Sequence, residues 1–485
     1  MRRLMLGLMI AAALSGSPAR ASDEVATALR DFDFIDKTLR DDSAGFPDKT
    51  AGPKLAEYEA LARAQRAAIA ADPTQFMDAT WKLLAWFKDG HLGLEELPTR
   101  APPRSPAPTS PSDAELAKQG RFLAVDDKSL RRQRNLLAPR GIYETIDGTY
   151  TVAVVPDPAK RGSFVGVILD SKNASWVRGQ VKFIVDPDGP GKWRGTLWRR
   201  DHSPVESPVT YRFGGSYAFF EAAGSVWRRA WPASTIDQDR VFQSGNFFLK
   251  PLSKSTLWLR LPNFDISNRA TIEGLLRDNR ALLEETPNLL IDLRSNGGGS
   301  DASYLELMKW IYSRPIVTIG TEFRASSTNA ELYGETLKRP DFPNEYRPML
   351  ERLIVEMKTK PAGTWVQTDP RPFSITVLPD VKPFPKRVAI IGTGAGSSGD
   401  QFVLDARQSR KVTTFGGPTA GVLDYSNQLQ RMTPSGRYII KWPTSRSMRL
   451  PEHPIDNVGI PADIPIPDGA DPIGFVQAWL ERQVD

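Results

Sequence analysis

Residues 387 to 410 read RVAIIGTGAGSSGDQFVLDARQSR. The apolar run Arg387 to Ile391 has the length and β-branched content of a buried strand, and Gln401 to Arg407 has the spacing of a helix. Between them lie Gly392, Gly394 and Gly396, then Ser397, Ser398 and Asp400 where the helix opens. LLIDLRSNGGGSDASYLELMKWI, residues 289 to 311, repeats the design. Strand, glycine-rich turn and helix, met twice, make the C-terminal region an α/β unit.

Working outward from these segments, strands and helices alternate from Gly245 onward. Strands are expected at Thr256 to Leu261, Asn288 to Leu293 and Lys411 to Phe415, and helices near Ala270 to Leu283 and Ser303 to Tyr312. The expected core is thus a mixed sheet with helices over residues 236–485. Residues 141–235 change character: short runs such as Thr149 to Val155 and Phe164 to Leu169 are broken by Gly, Pro, Asp and Asn, as in an antiparallel sandwich or barrel. Its Trp176, Trp193 and Trp198 fit either a core or a binding groove. Residues 98–112, PTRAPPRSPAPTSPS, read as an extended linker, followed by a connecting segment over 113–140. Residues 22–97 form a helical segment with a break at Asp72-Pro73 and a stop at Asp89-Gly90, after which His91 follows at once.

The N-terminus has Arg2 and Arg3, an apolar stretch from Leu4 to Leu14 and a small-x-small site at Ala19-Arg20-Ala21, the pattern of a signal peptide over 1–21. Export to the periplasm or medium, with a mature chain from Ser22, is the expectation. No later stretch has the length and freedom from charge of a membrane span. The chain of 485 residues has no cysteine, which excludes disulfides, thiol nucleophiles and thiolate metal ligands. Its formal charge of +6 includes three signal-peptide arginines, and the remaining 6 − 3 = 3 charges form no basic block, against a nucleic-acid role.

Glycine-rich turns at helix N-termini aim backbone N–H groups at a negative charge. Gly394 to Gly399 is formally G-x-G-x-x-G, but the strand after it ends in Gly416-Gly417-Pro418 where a dinucleotide site needs an acidic residue. Neither turn has the Gly-Lys-Ser/Thr ending of a phosphate loop. The oxyanion of acyl transfer remains, with Ser397 as nucleophile, the Ser398 N–H beside it and the Gly297 or Gly298 N–H as a second donor. From spacing alone, a plain helix cap at Ser397 or Ser398 is the better reading of the two. A base must come from His91, His202 or His453, the three histidines. His202 lies in an expected turn of the middle domain and His453 in a late loop.

Taken together, IDLRSNGGG (291–299), KDGHLGL (88–94), GSSGDQF (396–402), GGPTAG (416–421) and IDNVGIPADIPI (455–466) resemble the tail-specific and tricorn-core serine peptidase family. The resemblance covers the C-terminal 240 residues and the stretch around His91, not the middle β domain. It implies a ClpP/crotonase-like core that hydrolyses peptide bonds without metal or organic cofactor. It makes Ser397 the nucleophile, His91 the base, and Gly297, with Gly298 close behind, the oxyanion site. The family's other branch places a lysine after Thr-x-Gly, where this chain has Val422, and no PDZ-like segment is evident; both departures point to the histidine-using branch. A carboxylate orienting the imidazole is expected at Asp456, with Glu452 as competitor, while Asp400 is expected to support the helix N-terminus. A polypeptide substrate follows, with the helices and β domain restricting entry. A binding protein on the same fold and an esterase are the competing functions.

Overall fold

The computed structural model describes residues 18–97, 111–133, 136–189, 192–212, 215–233, 245–369 and 371–482. The signal-peptide expectation therefore lies largely outside the described residues, as does most of the linker. The chain divides into two units, one of residues 1–100 with 243–485 and one of residues 101–242.

The first unit opens with helices Pro18–Asp42, Gly45–Lys49, Lys54–Ala71 and Phe76–Trp86. The break expected at Asp72-Pro73 is a short 3₁₀ turn whose start is capped by the Asp72 carboxylate on the Thr74 N–H. These helices belong to the same unit as the α/β region, because their apolar faces are covered by it. Phe76 stacks on Tyr438 at 4.5 Å, and Leu83 and Leu84 share a core with Ile440 and Trp442. After the helices comes the short strand β1 (Gly93–Glu96).

The second unit is the antiparallel domain, and of the two expected forms it takes the barrel. Its strands β2 (Gly141–Thr145), β3 (Tyr150–Pro156), β4 (Phe164–Ser171), β5 (Val181–Pro187), β6 (Trp193–Trp198), β7 (Pro204–Arg212), β8 (Tyr217–Phe220) and β9 (Ser225–Trp231) close in sequence order. Closure by β2 on β9 removes the free edges that a sandwich would leave. Trp176 is buried in the barrel core beside Phe183 and Trp227, and the half-buried Trp193 and Trp198 pack against that core. Ahead of the barrel, the connecting segment forms helices Asp113–Leu116 and Asp127–Arg132.

Back in the first unit, one sheet runs β10 (Phe248–Pro251), β11 (Thr256–Arg260), β12 (Asn288–Asp292), β17 (Arg387–Ile391) and β18 (Val412–Phe415). The last four are parallel and β10 is an antiparallel edge. Both faces are covered, which is why β11 and β12 are apolar without alternation. Leu259, Leu289, Ile291 and Ile390 face one helical layer, and Trp258, Leu290 and Ala389 face the C-terminal helix Pro472–Arg482 through Ile473, Val476 and Leu480. Each leucine or isoleucine among them, fully buried, contributes about 1.5–3 kcal/mol.

A second sheet is built on the long strand β20 (Tyr438–Ser447), flanked by β19 (Tyr425–Met432) on one side and by β1 and β14 (Thr321–Arg324) on the other. β15 (Trp365–Gln367) extends it beyond β14. A separate pair joins β13 (Ile316–Ile319) to β16 (Phe373–Thr376). Among the described residues no helix is long and apolar enough to cross a membrane.

Candidate active site

Strands β12 and β17 pair in parallel with Asp292 opposite Ile391, so the glycine turns that follow them leave the sheet side by side at its C-terminal edge. This is the place where open α/β sheets bind ligands. The turns are then laced together: the Gly396 N–H donates to the Asn296 carbonyl at 2.9 Å, and Asn296 Oδ1 receives the Gly298 N–H at 2.9 Å. Gly298 has φ +95°, and a Cβ there would lie 2.7 Å from the Ser397 Cβ, so only glycine fits against the serine.

Ser397 has φ +55° and ψ −119°, a conformation that costs a side-chain-bearing residue on the order of 1–3 kcal/mol. Asp400 holds it there. Its fully buried carboxylate accepts the N–H groups of Ser397 at 2.9 Å, Val422 at 3.0 Å and Gly421 at 3.1 Å, joining the serine turn to the 421–422 loop. Burial raises the Asp400 pKa above the ordinary carboxylate value, and these hydrogen bonds pull against it. The Ser397 hydroxyl has a capping-box disposition toward the Asp400 backbone but makes no cap hydrogen bond there. It lies 3.1 Å from His91 Nε2.

His91 reaches that position through a short, heavily anchored segment. After helix Phe76–Trp86 the chain turns at Lys88, with φ +50°, whose carbonyl accepts from Asn457 Nδ2 at 2.9 Å. Asp89 Oδ1 accepts the His91 N–H at 2.9 Å, and the His91 carbonyl accepts from Gln428 Nε2 at 2.7 Å. Pairing of β1 with β20 then fixes the chain from Gly93. Gly90 packs flat on Val422, where an added Cβ would meet Cγ1 at 2.7 Å. The valine at the position of the other branch's lysine therefore supports the His91 segment.

The imidazole is buried, which pushes its pKa below the ordinary histidine value; Asp89, the Tyr425 carbonyl and Asp400 pull it upward, and Lys49 pushes it down. A ring neutral at pH 7 with Nε2 facing a hydroxyl is equipped to accept a proton. Nδ1 is buried with no hydrogen-bond partner of ordinary geometry, although the Tyr425 carbonyl is near enough to favour the charged ring.

Asp456, expected on that nitrogen, makes no hydrogen bond to His91. Its Oδ1 accepts the N–H groups of Leu423 at 2.7 Å and Asp424 at 2.8 Å, and its Oδ2 has no partner. Asp424 reciprocates by accepting from Ile455 and Asp456 at 2.7 and 2.8 Å, so the two aspartates clamp two loops together. Burial pushes the Asp456 carboxyl up to about 6, with Asp424 and Asp89 adding repulsion. Glu452 and His453 are exposed. His202 belongs to the barrel unit, where it stacks on Trp176 at 4.0 Å with Nε2 2.8 Å from the Ser175 carbonyl.

Of the three expected oxyanion donors, Gly298 has its N–H engaged by Asn296, whereas the backbone N–H groups of Gly297 and Ser398 donate to no protein group among the described residues. Gly297 is exposed and has open space around it. The 293–299 turn rests on a charged cluster that sequence reasoning passed over. Buried Asp292 receives Arg294 through two side-chain bonds at 2.8 and 2.9 Å and Arg260 at 3.2 Å. The alternation Asp-x-Arg at the strand end was the available signal. Among the described residues no group of three or more His, Cys, Asp and Glu could hold a metal ion.

Residues 255–466 match the sequence profile described as Peptidase family S41. No curated protein matches the sequence. Among solved structures, mature CPAF complexed with lactacystin is 13% identical over 95% of this chain and 97% of its own, with a TM-score of 0.47. The photosystem II D1 C-terminal processing protease is 11% identical over 91% of this chain and 93% of its own, at 0.35. The tricorn protease is 14% identical over 94% of this chain and 37% of its own, at 0.37. None of the three reaches a TM-score of 0.5.

Proposed function

We propose that this chain, whose residues 255–466 match the profile of peptidase family S41, is an exported serine peptidase that uses Ser397 as nucleophile and His91 as general base. The observation that carries the reading is the 3.1 Å separation of Ser397 Oγ and His91 Nε2, with the serine on a strained strand-to-helix turn that presents its hydroxyl. The core is read as ClpP/crotonase-like on its parallel sheet and its loops at the C-terminal edge.

In this reading His91 Nε2 takes the Ser397 proton as Oγ bonds to the peptide carbonyl carbon, and the carbonyl oxygen becomes an anion. The unspent N–H groups of Ser398 and Gly297 receive it, and removal of one such donor from an oxyanion hole typically costs about 10²–10³ in rate. Gly298 stands behind Ser397 as a spacer. The imidazolium gives its proton to the leaving amine, and water, deprotonated by the same ring, releases the acyl group. Asp456 acts by clamping the loop that carries Tyr425 beside the ring. The substrate is a polypeptide.

The test is turnover of denatured casein by the purified mature protein. Hydrolysis that is lost in Ser397→Ala supports the reading; hydrolysis that persists in that variant removes it.

A further inference from the structure

A buried carboxylate lies on the histidine's own segment. Asp89 lies two residues before His91 with its side chain almost wholly buried. One carboxylate oxygen accepts the His91 N–H at 2.9 Å, and the other accepts from Lys49 Nζ at 3.2 Å. Lys49 is fixed in turn over the ring of Tyr425 at 4.4 Å, and the Tyr425 hydroxyl donates to Asp48 at 3.0 Å. Asp48 itself is bound by Arg446 at 2.6 Å. The two orphaned atoms, Nδ1 of His91 and Oδ2 of Asp456, show that the usual imidazole–carboxylate bond is not made.

We infer that Asp89, locked in place by Lys49, is the positioning residue of the catalytic base: it fixes the His91 backbone and supplies the negative charge that balances the imidazolium. This rests on the reading of His91 as base. Charged and polar groups face the ring from several elements. Asp89 comes from its own segment, Lys49 from helix Gly45–Lys49, Asp400 from the helix after Ser397, and the Tyr425 carbonyl from β19. Asp89 is the strongest of those that favour the cation, ahead of Asp400, and Lys49 opposes it, so the pair acts on the ring with opposite signs.

The signs give the test, which needs no knowledge of substrate. The second-order rate constant for labelling by a fluorophosphonate is measured against pH for wild type, Asp89→Asn and Lys49→Met. Asparagine retains the acceptor for the His91 N–H while removing the charge. Its acid limb should move to lower pH, and its plateau should fall by about tenfold or more within the ~10²–10⁴ that a general base contributes. Lys49→Met should move the acid limb to higher pH. Normal labelling in wild type with neither limb displaced overturns the role of Asp89 alone. Absence of labelling in wild type overturns the serine–histidine reading itself. Lys49→Met lies outside the His91 segment and reports even if Asp89→Asn does not fold.

Discussion

Replacing Asp400 by alanine should do more damage than removing any exposed charge of the molecule, and the size of the effect follows from its partners. The carboxylate receives three backbone N–H groups, from Ser397, Gly421 and Val422, and it is fully buried. Each buried donor left unpaired costs about 1–3 kcal/mol. Three of them set a gross loss of about 3–9 kcal/mol, offset in part because an ionised carboxylate no longer has to be buried. A net loss of about 3–5 kcal/mol is expected, with release of Ser397 from its positive φ. Asp400→Asn keeps the size but turns an amide NH2 toward one of the donors, so a loss of about 1–3 kcal/mol is expected. Urea unfolding followed by loss of fluorophosphonate labelling reports the catalytic unit alone. Stability within about 0.5 kcal/mol of wild type in Asp400→Ala, with an unchanged labelling rate, would refute the reasoning.

Three further outcomes follow from the same geometry. Gly90→Ala places a Cβ 2.7 Å from Val422 Cγ1, so labelling should fall at least tenfold, and the double variant Gly90→Ala with Val422→Ala should recover most of it; no recovery would mean that the contact is not what the glycine serves. Asp405 is pushed up to about 7, chiefly by burial, while still accepting from Gln401 Nε2 at 2.9 Å and Thr318 Oγ1 at 3.2 Å. A raised carboxyl pKa gives stability that is complete below the unfolded value of about 3.9 and is lost as pH rises through about 7, so thermal stability should decline from pH 5 to 8 and Asp405→Asn should flatten that decline. Leu290→Ala, inside the sheet and fully buried against the C-terminal helix, should cost about 2–5 kcal/mol by denaturant unfolding; a smaller loss would show that this face of the sheet is loosely packed.

The parallel strands β12 and β17 were legible because burial on both faces writes them as unbroken apolar runs, and the turns after them because glycine and serine have few other reasons to cluster there. The barrel strands were legible as short runs, but sandwich and barrel share that pattern. The pairing of β2 with β9, across most of the domain, is what decides between them. The N-terminal helices were visible by period, while their partner was not: an apolar helix face does not say which strand covers it, and here it is β20. At the site, local pattern offered Ser397 as nucleophile or as cap and favoured the cap; the family resemblance is what singled out both Ser397 and His91. Asp89, Asn296 and the Arg260–Asp292–Arg294 cluster were not assigned, because a buried charge and a solvated one look alike in a string of letters. Asp456 was picked for its place in the motif, and its hydrogen bonds go to the 423–424 backbone instead.

The claim that Ser397 is a nucleophile activated by His91 is met most directly by mapping where a fluorophosphonate attaches. Mass spectrometry of the labelled, digested protein should place one adduct on Ser397, absent from Ser397→Ala and His91→Ala and present in Ser398→Ala. An adduct on Ser398, or labelling that survives loss of Ser397, would contradict it.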